Sequence, residues 1–142
     1  MGRLTLSSRP EAVLIIDKDD LYVRSLTRQL RELGFPFVYR AATSEQGLAM
    51  LDRVHPTMVF ADMVNWHQTE GRNVIARARQ LGASLTFISN LVPDDAKALG
   101  VPFQNKADLS GEALELLVTE LIRQAQQRSR SSVPVNVTDR VA

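Results

Sequence analysis

The sequence contains no cysteine. That absence excludes a disulfide framework and a thiolate metal site, and it fits a reducing compartment. Long apolar runs are also missing. The longest, Ala12–Ile16, falls far below the roughly 20 residues that span a bilayer. The opening stretch, MGRLTLSSRPEA, carries basic residues but no apolar core, so it does not read as a signal peptide. Nor does one sign of charge dominate. Lys and Arg number 17 against 16 Asp and Glu, a net charge of +1, which gives no push toward nucleic acid.

A chain of 142 residues, 44% hydrophobic and 23% charged, has the balance of one soluble globular domain. It can bury a core without metal or disulfide staples. The small basic excess is local. Residues 123–142 carry Arg123, Arg128, Arg130 and Arg140 against Asp139 alone. Residues 1–11 read as a flexible lead-in. Residues 126–142, QQRSRSSVPVNVTDRVA, are polar and without helical period, and predict a disordered tail or linker stub. The domain proper spans 12–125.

Within those bounds the pattern alternates. Val13–Ile16 is a short apolar run that stops at Asp17, as a buried strand does. Val23, Leu26, Leu30 and Leu33 then share one helical face, with Asp19 or Asp20 as cap and Gly34 as terminator. Phe37–Ala41 is a second strand, and Thr43 with Gln46 resembles a capping box for a second helix. Met58–Ala61 leads to Asp62, and a helix follows from Gly71. Leu85–Ile88 leads to Ser89, Asp94–Leu99 has room for a short helix, and Val101–Gln104 leads toward Lys106. A last helix, capped by Ser110, carries Leu114, Leu117, Val118, Leu121 and Ile122 as an apolar stripe. Five such strands alternating with amphipathic helices predict an open parallel α/β sheet covered on both faces.

In sheets of this kind, function gathers at the carboxyl ends of the strands. Asp17, Lys18, Asp62, Ser89 and Lys106 all stand there. Their chemistry is coherent. A carboxylate can attack phosphorus, a hydroxyl and an ammonium can bind phosphoryl oxygens, and a further carboxylate can help hold a divalent cation. The lone tryptophan, Trp66, lies in a polar loop where it packs locally or anchors a partner. His55 and His67 are too isolated to form a metal site and read as exposed loop residues.

These segments resemble the receiver domains of two-component response regulators over roughly residues 12–124. VLIIDKDDLYVRSLTRQLRELGF is similar to that family's first strand, acidic turn and first helix. PTMVFAD is similar to the strand leading to its phosphorylated aspartate, LTFIS to the strand ending in its switch hydroxyl, and FQNKAD to the strand ending in its lysine. The resemblance implies a flavodoxin-like, doubly wound five-stranded sheet in the order 2-1-3-4-5. It implies Asp62 as phospho-acceptor, Ser89 as switch hydroxyl, Lys106 as phosphoryl-binding ammonium, Phe103 as switch aromatic, and a Mg²⁺ site using Asp17 and Asp62. It also implies a cytoplasmic bacterial protein with no enzymatic activity of its own, partnered by a histidine kinase or another signalling protein. No membrane contact and no direct nucleic-acid contact are expected.

The departures from the family pattern are specific. Lys18 stands where a second metal-binding acid is usual, so Mg²⁺ binding is predicted to be weak and Lys18 to lie near Asp62 in its place. Trp66 replaces a proline, Gly71 comes one residue late, and Ala107 stands where a proline is common. Lys106 follows Ser89 by only 17 positions, which implies a shortened fourth helix and a changed partner surface. These departures support an alternative in which the domain is a phosphorylation-independent interaction module. The chain ends soon after the last helix, so a stand-alone module, acting by docking or as a homodimer through that helix, is expected. A more distant reading takes IIDKDD as the D-x-D opening of a haloacid dehalogenase-type phosphatase, with Asp17 as nucleophile and Asp19 as acid/base. The acidic pair such enzymes need after the lysine is absent, since Asp94–Asp95 precedes it.

Overall fold

A computed structural model describes residues 11–62, 69–90 and 100–141, with side chains through residue 127. Its elements run β1 (Ala12–Ile16), α1 (Asp20–Glu32), β2 (Phe37–Ala41), α2 (Ser44–Val54), β3 (Met58–Asp62), α3 (Thr69–Leu81), β4 (Ser84–Ser89), β5 (Phe103–Asn105) and α4 (Gly111–Val141). A 3-10 turn, Lys106–Asp108, joins β5 to α4. The strands form one parallel sheet in the order β2-β1-β3-β4-β5. This is the doubly wound, flavodoxin-like order.

Strand alternation sorts the core into two layers. On one face Val13, Ile15, Met58 and Phe60 meet Val23, Leu26 and Leu30 of α1 and Leu114, Val118 and Leu121 of α4. On the other, Leu14, Ile16, Val59 and Ala61 meet Leu51 of α2 and Val74, Ile75 and Ala78 of α3. Burial on both faces explains why the central strands read as unbroken apolar runs.

The helix ends obey local chemistry. Asp19 accepts the Tyr22 amide at 3.3 Å to start α1, and Gly34, at φ 111°, ends it. Thr43 Oγ1 accepts the Gln46 amide at 3.1 Å, and Gln46 Oε1 accepts the Ala42 amide at 2.9 Å. That pair of bonds fixes where α2 begins. The Gly111 amide at the start of α4 donates to Gln29 Oε1 of α1 at 2.9 Å. Ser110, predicted as the side-chain cap, instead offers its carbonyl to Leu114 N–H at 3.4 Å.

One sequence expectation is corrected. β5 begins at Phe103, not Val101. Pro102 has no amide to give the ladder, and only its carbonyl pairs, with Phe87 N–H at 2.8 Å. α4 runs from Gly111 to Val141. Trp66, His67, Asp94–Leu99 with the predicted short fourth helix, and the lead-in before Glu11 lie outside the described residues. No helix among the described residues is long and apolar enough to cross a membrane.

Gly47 marks a close approach within α2. A Cβ there would lie 2.9 Å from Ile16 Cγ1 and nearer still to Cδ1. Glycine inside a helix normally costs about 1 kcal/mol, and here it lets α2 lie flat on β1. Gly47→Val is expected to lower the unfolding free energy in urea by about 1–3 kcal/mol through overpacking. An unchanged midpoint would show that Ile16 repacks freely.

Candidate functional site

β1, β3, β4 and β5 end at one edge of the sheet, and their register sets what gathers there. Ile16 lies opposite Ala61, so Asp17 and Asp62 follow side by side. Asp62 lies opposite Ile88, one residue before Ser89. Ser89 lies opposite Asn105, one residue before Lys106. The four residues therefore occupy one carboxyl-end rim across four strands.

Lys106 occupies the centre. Its Nζ lies 2.6 Å from Asp17 Oδ2 and 3.2 Å from Asp62 Oδ2. Lys106 is 8% exposed and Asp17 2%, so both are buried ions, tolerable only because they are paired. Asp17 is held further by its backbone. Asp17 N–H donates to Ala41 O at 2.9 Å, and Asp17 Oδ1 accepts the Asp19 amide at 2.8 Å. The Asp62 side chain retains 18% exposure against 0% for Asp17. Of the two acids sharing the ammonium, only Asp62 reaches solvent.

Tyr22, in the first turn of α1, forms the floor. The Lys106 ammonium lies 4.8 Å from the centre of its ring, within cation–π range. The Tyr22 hydroxyl is buried and makes no hydrogen bond with the described residues. Burial first, then the negative charges of Asp17 and Asp62, push the phenol up to about 12. For Lys106, burial acts to lower the pKa. The hydrogen bonds and charges of Asp17 and Asp62 outweigh it, and the net shift is upward.

Sequence reading names Asp17, Asp62, Ser89 and Lys106 for this rim, and register brings them to it. It misplaces Lys18. Its side chain is solvent-exposed and has no ion pair among the described residues; Lys106 is a cation that lies beside Asp62. The chain bends at Lys18 as it leaves β1, so the residue next to a buried strand-end acid turns outward. Phe103 is half-buried and packs against the α2/α3-side layer. Sequence reading misses Tyr22, whose spacing of four from Leu26 on the inward face of α1 was an available signal. It also misses Arg40, which donates to the Asp17 carbonyl at 3.3 and 3.2 Å and to Asp20 at 2.8 Å. Nothing in the local sequence marks Arg40.

Among the described residues the donor set does not fit a dedicated Mg²⁺ site. Asp19 is engaged as the α1 cap, and Lys18 contributes no carboxylate. The two acids that remain already share an ammonium. Among the described residues no cluster of three or more metal-ligating acids or histidines occurs, whereas a hard divalent cation seeks several oxygen ligands. The phosphatase reading fares no better, because its nucleophile would be the fully enclosed Asp17.

No family model matches the sequence, and no curated protein matches it. Solved structures do. The chain superposes on the signal receiver domain of a modulated diguanylate cyclase from Desulfovibrio desulfuricans G20 with a TM-score of 0.72 at 18% identity, covering 84% of this chain and 99% of that one. A response regulator from Thermotoga maritima gives 0.68 at 20% identity, covering 81% and 99%. The response regulator PhyR from Brucella abortus gives 0.72 at 16% identity, covering 93% of this chain but 54% of that one. The fold is that of a receiver domain. At these identities the likeness is one of fold.

Two outcomes follow for the receiver-like pocket. Lys106→Met leaves Asp17 buried without its counter-ion, and unfolding in urea near neutral pH is expected to be easier by roughly 3–5 kcal/mol. Tyr22 and Lys106 both have raised folded pKa values, so their contribution is complete below the unfolded values and is lost as pH rises through the folded ones. Stability should therefore fall between about pH 10 and pH 12. Tyr22→Phe should flatten that fall by no more than roughly 2 kcal/mol after solvent screening. Urea titrations across that window, with ultraviolet detection of phenolate, check both.

Proposed function

We propose that this chain is a receiver-like signalling domain in which Asp62 accepts a phosphoryl group slowly and with little help from Mg²⁺. One observation carries the reading: two acids share the Lys106 ammonium, and only Asp62 is open to solvent. In the reaction an Asp62 oxygen attacks phosphorus of a phosphoryl donor. The oxygen–phosphorus bond forms as the donor's bond breaks, and the leaving group departs with its electron pair. Lys106 stabilises charge on the phosphoryl oxygens, and Ser89, on the same rim, supplies a hydroxyl to the product. The acyl phosphate adds negative charge at Asp62 and competes with Asp17 for the one ammonium. Phe103 and the turn beginning at Lys106 are the elements next in line to respond. The partner is a histidine kinase or another signalling protein in the cytoplasm, and output is by docking, including self-association through α4.

The second reading, a phosphate-independent interaction module, is favoured by the exposed Lys18 and the two-carboxylate pocket. Incubation with acetyl phosphate, followed by intact mass, separates them. The first reading expects a slowly formed phosphoryl adduct, absent in Asp62→Asn and weakly dependent on Mg²⁺. Lys18→Asp is expected to speed adduct formation roughly tenfold in Mg²⁺, equivalent to about 1.4 kcal/mol of barrier. No adduct in wild type or Lys18→Asp, in a protein that stays folded, selects the second reading.

A further inference from the structure

Among the described residues β2 is a terminal strand of the sheet, pairing with β1 on one side only. Its outer backbone edge is therefore a template for another strand. A groove of about 590 Å³ runs beside it along α1. Val23 and Thr27 lie within it, and Arg24, Arg28, Arg31 and Arg40 crowd around it. Only two acids, Asp20 and Glu32, offset them. Asp20 is already shared by Arg24 at 2.9 Å and Arg40 at 2.8 Å. The Arg28 and Arg31 side chains are exposed and have no hydrogen bond or ion pair among the described residues. Since residues 1–122 carry more acids than bases, the positive groove is a local feature. One edge charge is enough to deter self-pairing; four arginines exceed that need.

The two faces of β2 differ. Val38 packs into the α1-side layer, so Arg40, two residues on, stands on that face and reaches the groove. Phe37, 45% exposed, and Tyr39, 36% exposed, stand on the opposite face and remain uncovered.

We propose that the β2 edge docks an extended acidic segment of a partner protein by strand addition. Side chains of an added strand alternate between faces. One set meets the arginines of the groove, which calls for Asp or Glu. The other meets Phe37 and Tyr39, which calls for apolar residues. Main-chain hydrogen bonds supply affinity, and the alternation of acid with apolar residue supplies specificity. The proposal rests on the sheet edge and not on phosphoryl chemistry at Asp62, so each can fail alone.

The test uses the full chain and a fluorescein-labelled peptide of alternating glutamate and valine, read by anisotropy. Binding is expected, weakening as salt shortens the reach of charge. Arg28→Glu/Arg31→Glu should weaken it by roughly tenfold or more. Both side chains are exposed, and a circular dichroism melt checks that the variant is folded. A peptide N-methylated at alternate residues, which cannot pair as a strand, should lose binding. Four results overturn the proposal: no binding by the Glu-Val peptide, equal binding by a Lys-Val peptide, undiminished binding after N-methylation, or displacement by single-stranded DNA in preference to the acidic peptide.

Discussion

The Lys106 ammonium is shared by two carboxylates, 2.6 Å from one and 3.2 Å from the other. An ammonium and a carboxylate so deeply enclosed are costly to desolvate and are tolerated only as partners. The surrounding architecture serves that requirement. β1 and β3 deliver the acids in register, β5 delivers the lysine from two strands away, and α1 lays the Tyr22 ring against the cation. Arg40 clasps the Asp17 carbonyl from the edge strand. The acids are unequal because one is sealed by its own backbone while the other stands at the mouth.

That asymmetry bears on what a pocket of this kind can do. A buried pair alone is a structural device, and many domains carry one. Here the second carboxylate remains reachable, so a change made to it from outside is felt at once by the enclosed pair. The lysine then stands where two demands meet, and its backbone opens the turn that leads into α4.

Much of the fold was legible in the sequence because its physics is local. Strands buried on both faces show as short apolar runs, and those runs stop at the polar strand ends, Asp17, Asp62 and Ser89. Thr43 with Gln46 announced its own helix start. The rim residues followed from topology alone, since parallel strands bring their carboxyl ends to one edge. What could not be read was side-chain direction. Lys18 adjoins Asp17 in the chain but is exposed, while Lys106, 89 positions from Asp17, carries the ammonium that pairs with it. Tyr22 reads as one more helix-face aromatic until the lysine is placed over it.

The bond from Gly111 N–H to the Gln29 side chain bears on how α4 sits against α1. It joins the base of a helix that is 31 residues long, on the order of 46 Å at 1.5 Å per residue, to a single acceptor. Leu114, Val118, Leu121 and Ile122 clamp its first turns to the core, so rocking is left to the length beyond Ile122. Displacement there grows with distance: a tilt of about 5° carries the tip, roughly 28 Å on, by about 2.5 Å. A sub-ångström adjustment beside the pivot is thereby magnified by leverage alone.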